Sequence, residues 1–422
     1  MLQKLKIGPE QEFSLYNDKF MIIDASSQVL DNPTNIKPNG HPYFVKEGTQ
    51  AQIELNWKPS ISLDHLCLQF LEADGAARKM FASSEETKDI KIIPASENGA
   101  GLATISKRVA HRTPIYKAIF GDIEHLIRIS GIHNHIDRCP NHAIEQFNVL
   151  AAMVPGIAFT SNSPIDYKRI NGFNDSRYNL FANPKTGYFK KIPEELTYIK
   201  DLQELEVRDQ NRYTAWRNAY LASVGNTILF DQNFTIANTG YPAIRNRPDV
   251  GKLGTFEARK DDSTTLDIHL GNTGFMLGAC NQTCKGIKVE YATIDGDYDF
   301  NSQGDGRIVL PTKEYLANTL ICQGVQTGLQ SEELHHYLTQ LLKFAHEGLP
   351  EEERHYLNPL FKMINSQENL STQVLEHLRI NKYHTNTKKE YSLEAIQEAN
   401  KFVWERQQKA IEHFRKLHHY KS

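Results

Sequence analysis

Four short segments of this 422-residue chain alternate apolar and ionisable residues with a period of two. They constrain the fold more than any other feature. Side chains two apart on a strand share a face. IGPEQEF puts Glu10 and Glu12 together, and QIELNW puts Gln52, Glu54 and Asn56 together, opposite Ile53 and Leu55. GIHNHID puts His133, His135 and Asp137 together, opposite Ile132 and Ile136. GTFEARKDD puts Glu257 and Arg259 together, opposite Phe256 and Ala258. The pattern predicts an α+β fold in which an antiparallel sheet turns one face to helices and keeps the other polar.

For any one strand, a polar face that simply meets water is the plainer explanation. Such a face usually carries Lys, Thr and Ser, whereas these four strands carry four Glu and two His. Carboxylates side by side on a strand repel unless a cation lies between them. Oxygen ligands of this kind suit magnesium or manganese, and added imidazole suits manganese or zinc. The four strands together therefore point to a shared metal site built from Glu10, Glu12, Glu54, His133 and Glu257. Arg259, two residues from Glu257, could reach a phosphoryl group held by such a metal, because guanidinium donors match phosphate oxygens. Arg245 and Arg247 in IRNRPD, and Arg177 in an Asn-rich segment, are further cations, each of which taken singly reads first as a surface residue. No G-x-x-x-x-G-K-[ST] loop and no G-x-S-x-G elbow is present, which excludes a P-loop enzyme and an elbow-type serine hydrolase.

The rest of the chain supplies helices and loops. Ser62 caps a helix running to about residue 82, residues 114–120 read as a short helix or the entry to a loop, and further helices are expected from Pro140 to about 154, over 206–222 and from about 265 to 283. TILFDQNFTIAN (227–238) reads as a strand or strand pair. Residues 33–42, 98–101, 166–193 and 295–310 read as loops, the third as a long surface loop. From Pro311 onward the chain is mostly helical and polar, so residues 1–310 are expected to form the catalytic domain and 311–422 a helical C-terminal region. Its last helix, 391–419, has an apolar stripe including Ile396, Val403, Ile411 and Phe414, which suits packing on its own domain or on a partner.

The formal net charge is −3, which gives no basis for a general nucleic-acid or membrane surface. No apolar run reaches the roughly 20 residues needed to span a bilayer. The start, MLQKLKIGPEQEF, has no apolar signal core. Five scattered cysteines, Cys67, Cys139, Cys280, Cys284 and Cys322, do not suggest a disulfide framework, and core or surface thiols in a reducing cytoplasm are expected. Partners are expected to be small molecules, with self-association into a homo-oligomer left open.

In this order and spacing the motifs resemble the carboxylate–amine ligases of the second glutamate–cysteine ligase family, whose catalytic domain is similar to that of glutamine synthetase. IGPEQEF resembles the family's G-x-E-x-E-F strand, QIELN the next acidic strand, and GIHNHID the G-x-H-x-H strand. TSNSPI and GFNDSR resemble the S-P turn and the S-R element, and IRNRPD with GTFEARKDDS the R-P loop and the T-x-E-x-R-x-x-D strand. The likeness covers about residues 5–290. The N-x-W-x-A-x-R-like segment that often closes the family's core is not found.

The resemblance implies a curved, glutamine-synthetase-like sheet and a reaction that uses ATP with Mg2+ or Mn2+. By position, Glu10, Glu12, Glu54 and Glu257 would hold the metal ions, and His133 would ligate metal or touch the amino-acid substrate. His135 would lie near the ATP phosphates, Arg259 would stabilise the phosphoryl group in flight, and Arg245 or Arg247 would bind a carboxylate or phosphate. Glutamate is the implied carboxylate, and cysteine is the family's best-known amine. Two other readings stay open on the sequence alone. One is a metal-dependent amidohydrolase, whose H-x-H strand belongs to a (β/α) barrel. The other is a non-catalytic descendant that binds a partner.

Overall fold

Seven strands form one sheet in which every neighbouring pair is antiparallel: β1 (Ile7–Tyr16), β2 (Phe44–Lys46), β3 (Gln52–Asn56), β4 (Lys91–Ile93), β5 (Gly131–Asp137), β6 (Ile244–Arg247) and β7 (Thr255–Asp262). The computed structural model describes residues 4–96, 101, 103–121, 123, 128–165, 173–182, 196–301, 306–381, 383, 385–387 and 390–419. The expected loop at 98–101, except Gly101, and most of the one at 166–193 fall outside these residues. The strand order is β2-β3-β1-β5-β7-β6, with β4 pairing the far end of β1. This open antiparallel sheet is not the parallel barrel of an amidohydrolase.

The helices that position the sheet are α1 (Leu63–Ala82), α2 (Thr113–Phe120), α3 (Ala143–Ala152), α4 (Ser176–Ala182), α5 (Leu202–Val224), α6 (Leu266–Cys284), α7 (Glu332–Gly348), α8 (Asn358–Ser366), α9 (Leu370–Ile380) and α10 (Leu393–Leu417). The Ser62 hydroxyl accepts from His65 N at the start of α1, satisfying one of the donors a helix N-terminus leaves open. Helix α6 lies under the sheet and is buried on nearly every side. It crosses α7 so closely that a Cβ on Gly278 or on Gly348 would run into the backbone of the facing helix. At its N-terminus, Gln407 of α10 accepts from Leu266 N at 2.8 Å. The stripe of α10 is buried at Ile396, Val403, Ile411 and Phe414, so this helix packs on the same core as the sheet.

A second, smaller core of Ile115, Ile119, Trp216, Tyr220, Phe230 and Phe234 joins α2 to α5. It explains a correction. Residues 227–238 form a helix at Ile228–Asn233 followed by a 3-10 turn, not a strand. Phe230 and Phe234, one helical turn apart, stack at 5.1 Å, with Phe234 against Trp216 and Phe230 against Tyr220. In the expected long surface loop, residues 174–177 are buried, and α4 begins there with Asp175 accepting from Tyr178 N at 2.7 Å. The expected loop over 295–310 ends in a strand, Arg307–Leu310, that pairs in parallel with Lys288–Tyr291.

Cys139, just past β5, is disulfide-bonded to Cys284 at the end of α6, with Cα atoms 5.7 Å apart. The sequence expectation of free thiols therefore fails for this pair, because the fold brings together residues 145 apart in sequence. Cys67, Cys280 and Cys322 remain free. Among the described residues no single helix is long and apolar enough to cross a membrane, and the apolar bent pair 143–152 and 154–160 is core.

Beneath β1, the Gln11 amide donates to Thr264 O at 2.7 Å and its carbonyl faces His269 Nδ1 at 2.9 Å. His269 stacks on Trp57 at 4.5 Å, and burial pushes its imidazole down to about 3, so it is neutral in the folded chain. An unfolded histidine titrates near 6.5. Stability is therefore intact above about pH 6.5 and is lost as pH falls toward 3, at about 1.4 kcal/mol per unit from this residue. Urea midpoints measured from pH 7.5 to 5.0 should fall more steeply for the wild type than for His269→Gln. Parallel slopes would remove His269 as the source.

Candidate active site

Strand register assembles the site. Across β1 and β3, Glu12 faces Glu54, and across β1 and β5, Glu10 faces His133. His135 of β5 then faces Glu257 of β7, which faces Arg245 of β6. Partners directly opposite in an antiparallel pair lie on one face, so one polar row crosses five strands. The residues predicted from period-two alternation meet here, although the segments that carry them span 250 positions of sequence.

The distances make this a single electrostatic unit. His133 Nδ1 lies 3.5 Å from Glu10, and His133 Nε2 4.0 Å from Glu12. His135 Nε2 lies 3.5 Å from Glu10 and 4.0 Å from Glu257. Burial alone would raise the Glu10 carboxyl, but the two imidazoles outweigh it and hold Glu10 well below the usual carboxylate range. Burial, with the charge of Arg259, lowers His133, which favours the neutral imidazole that can ligate a metal. Glu12 Oε2 accepts from Gly131 N at 2.7 Å, which fixes its orientation.

Three guanidiniums converge on the buried Glu257. Arg259 is hydrogen-bonded to it, Arg247 lies at 3.2 Å and Arg245 at 3.6 Å. Against its burial, the charges of Arg259 and Arg245 keep Glu257 ionised and well below its ordinary range. Burial and the neighbouring Arg259 push Arg245 down to about 10, still a cation at neutral pH. Arg245 also donates to Gly240 O at 2.6 Å.

Three sets of side chains bring donor atoms within 4.8 Å of one another: Glu10, Glu54 and His133; Glu10, His135 and Glu257; and Glu12, Glu47 and Glu54. These carboxylate-rich sets with imidazole suit hard divalent cations such as magnesium or manganese. Glu47 was missed in the sequence because β2 was not recognised as a strand. The signal was parity: Val45 pairs with Glu54, so Glu47, two residues on, continues the same face.

Arg177 serves the strand as well as the site. It lines the cavity beside the row, and its guanidinium donates to Lys260 O at 3.2 Å, Asp261 O at 3.1 Å and Arg259 O at 3.5 Å. The β5–β7 register slips by one residue at this point, between Ile132 and Asn134. Such a bulge leaves main-chain groups without ladder partners, and Arg177 supplies donors to them. Position 131 must be glycine for this, since a Cβ there would sit 2.7 Å from the Arg177 Cζ.

The GCS2 profile, glutamate-cysteine ligase family 2, matches residues 6–216, half of the chain. No curated protein matches the sequence. Two solved structures share the fold. Glutamate–cysteine ligase from Francisella tularensis in complex with AMP has a TM-score of 0.57 and 14% identity, over 98% of this chain and 89% of that one. The bifunctional glutathione synthetase from Pasteurella multocida has a TM-score of 0.58 and 12% identity, over 96% of this chain and 53% of that one.

Gly131→Ala should expel the Arg177 guanidinium, release the bulge carbonyls and misplace Arg259, lowering turnover by about 10- to 100-fold, the scale of a 1 Å error in a catalytic group. Steady-state rates alongside a melting curve test this. An unchanged rate in a folded variant would mean that the bulge does not set the Arg259 pose. With its profile match and its two-faced acidic sheet, the chain belongs to glutamate–cysteine ligase family 2, the carboxylate–amine ligases that form a carbon–nitrogen bond.

Proposed function

We propose that this ligase uses ATP to activate a carboxylate, glutamate in the first instance, as an acyl phosphate that an amine then attacks. The observation that carries this is the convergence of Glu10, Glu12, Glu54, Glu257, His133, His135 and three arginines on one sheet face. A carboxylate does not react with an amine in neutral water. In the proposed reaction, a carboxylate oxygen attacks the γ-phosphorus and ADP leaves. The amine nitrogen then attacks the acyl carbon, inorganic phosphate leaves, and the nitrogen gives up its proton. No protein nucleophile is needed, so the protein contributes positioning and charge stabilisation.

The donor sets fit magnesium or manganese. Glu10, Glu12, Glu54, Glu257 and His133, together with Glu47, would hold the ions, whose chemistry is to neutralise phosphate charge and act as Lewis acids. His135, between Glu10 and Glu257, is assigned to the phosphate side. Arg259 carries the charge-stabilising role at the transferring phosphoryl group, where its planar fork of donors matches the oxygens. Arg245, buried on the wall of the cavity, is assigned to a substrate carboxylate. Arg247, more exposed and also paired with Asp249, is assigned to screening Glu257. Arg177, one of the further cations of the sequence, is assigned to holding the bulge.

Residues 1–310 form the catalytic unit in this scheme, and the helices after 311 brace it. In support, every residue lining the cavity precedes Asp261, while α7 and α10 pack beneath the sheet on α6.

An ADP-release screen crossing glutamate and other carboxylates with a panel of amines tests the reaction directly. Release that requires both substrates supports it, and no release above background with any pair refutes it. Glu12→Gln and Glu257→Gln should each lower turnover by about 10^3-fold or more while the fold survives, and Arg259→Lys by at least about 10^2-fold. Near-normal turnover of any of these variants at saturating substrate would show that residue to be misassigned.

A further inference from the structure

The cavity beside the acidic row has a volume of about 290 Å³. That is near the low end for small-molecule pockets and has room for an amino acid. Its sheet-side wall includes Glu12, His133, Arg245 and Arg259. Glu10, Glu54, His135 and Glu257 do not line it, so it meets the cluster on the Glu12 flank and leaves the Glu10–His135–Glu257 flank for phosphates. The far wall is mixed. Ile105, Val109, Tyr116, Phe234 and Tyr241 line it, with Arg112 among them and the polar Thr113, Arg208 and Asn238 beside them.

We infer that the acceptor amine is an amino acid with an aromatic or branched apolar side chain, seated against Tyr116, Phe234 and Tyr241 with its carboxylate on Arg112. This rests on the ligase reaction proposed above. Two independent features carry it. First, the aromatic wall is built and rigid. Tyr116 lies 5.7 Å from Phe234, 6.4 Å from Tyr241 and 6.2 Å from Trp216, and Trp216 lies 5.9 Å from Phe234. Rings held at these separations are attractively packed and offer a preformed apolar surface, which a small polar acceptor would leave wet.

Second, the wall contains a cation with a donor left open. The Arg112 guanidinium lies over the Phe234 ring at 5.1 Å, and its Nε is buried with no hydrogen-bond partner among the described residues. Leaving such a donor unsatisfied is unfavourable, and a carboxylate is the planar anion that its fork of donors matches. An apolar contact and an anion contact side by side are what an α-amino acid presents, with its amino group left to face the Glu12–His133 flank.

The test is ADP release by the full chain with ATP, magnesium and L-glutamate, comparing phenylalanine, leucine, alanine, cysteine and phenethylamine as acceptors. Phenylalanine or leucine should exceed alanine in kcat/KM by at least about tenfold, since each methylene in an apolar pocket is worth about 10- to 200-fold. Arg112→Gln should cut the phenylalanine-to-phenethylamine ratio of kcat/KM by about tenfold or more. Tyr116→Ala should erase the preference for phenylalanine over alanine. Turnover with cysteine or alanine that apolar acceptors do not exceed, or an Arg112→Gln ratio equal to wild type, overturns the acceptor assignment and leaves the ligase reaction standing. No ADP release with any acceptor overturns both.

Discussion

Five carboxylates, Glu10, Glu12, Glu47, Glu54 and Glu257, are drawn together on one sheet face, and their repulsion is the constraint around which this structure is arranged. Partly buried like charges cannot coexist without compensation. The fold supplies two imidazoles from β5 on one flank and three guanidiniums around Glu257 on the other. The compensating groups come from neighbouring strands, so the charge balance depends on strand register. A one-residue slip would send the whole row to the opposite face. The register is fixed by the other face, where Ile53, Leu55, Ile132, Ile136, Phe256 and Ala258 are buried against the helices.

The slip that does occur, between β5 and β7, is confined and buttressed. Arg177 reaches over a glycine to satisfy the main chain at Arg259, Lys260 and Asp261. Beyond it, Asp261 and Asp262 are buried among Lys260, Thr160, Ser163 and Asn162, with Lys260 paired to Asp261 at 2.6 Å. A buried charge is tolerated only when it is paired and hydrogen-bonded, so this polar knot ties the end of β7 to the loop before α4. The same strand thus carries a cavity-lining arginine and, one to three residues on, an interior network for rigidity.

The helical layers divide the labour. Helices α6, α7 and α10 build the main core beneath the sheet, with glycines letting α6 and α7 touch backbone to backbone. Helices α2 and α5 build the smaller aromatic core, and this second core closes one side of the cavity beside the acidic row, with Phe147 and Ile244 of the main core also lining it. The sheet therefore holds the charged row, while the α2–α5 layer shapes part of the cavity next to it.

Much of this was legible in the sequence, because strand alternation is a local property. Glu10, Glu12, Glu54, His133, His135, Glu257 and Arg259 announce a shared face through spacing of two, and their motif order carries the family resemblance. Helices with strong caps or stripes, such as α1 and α10, were legible for the same reason. What the sequence could not contain was which strands lie side by side, since pairing is set by packing between segments far apart. That decided the membership of Glu47, the bulge held by Arg177 and Gly131, the joining of Cys139 to Cys284, and the helical form of 228–233, where aromatic packing overrode a strand-like pattern. The polar pattern was written locally; its arrangement into a site, and the aromatic wall beside it, came only from the tertiary structure, because distance between side chains is a property of the packed chain.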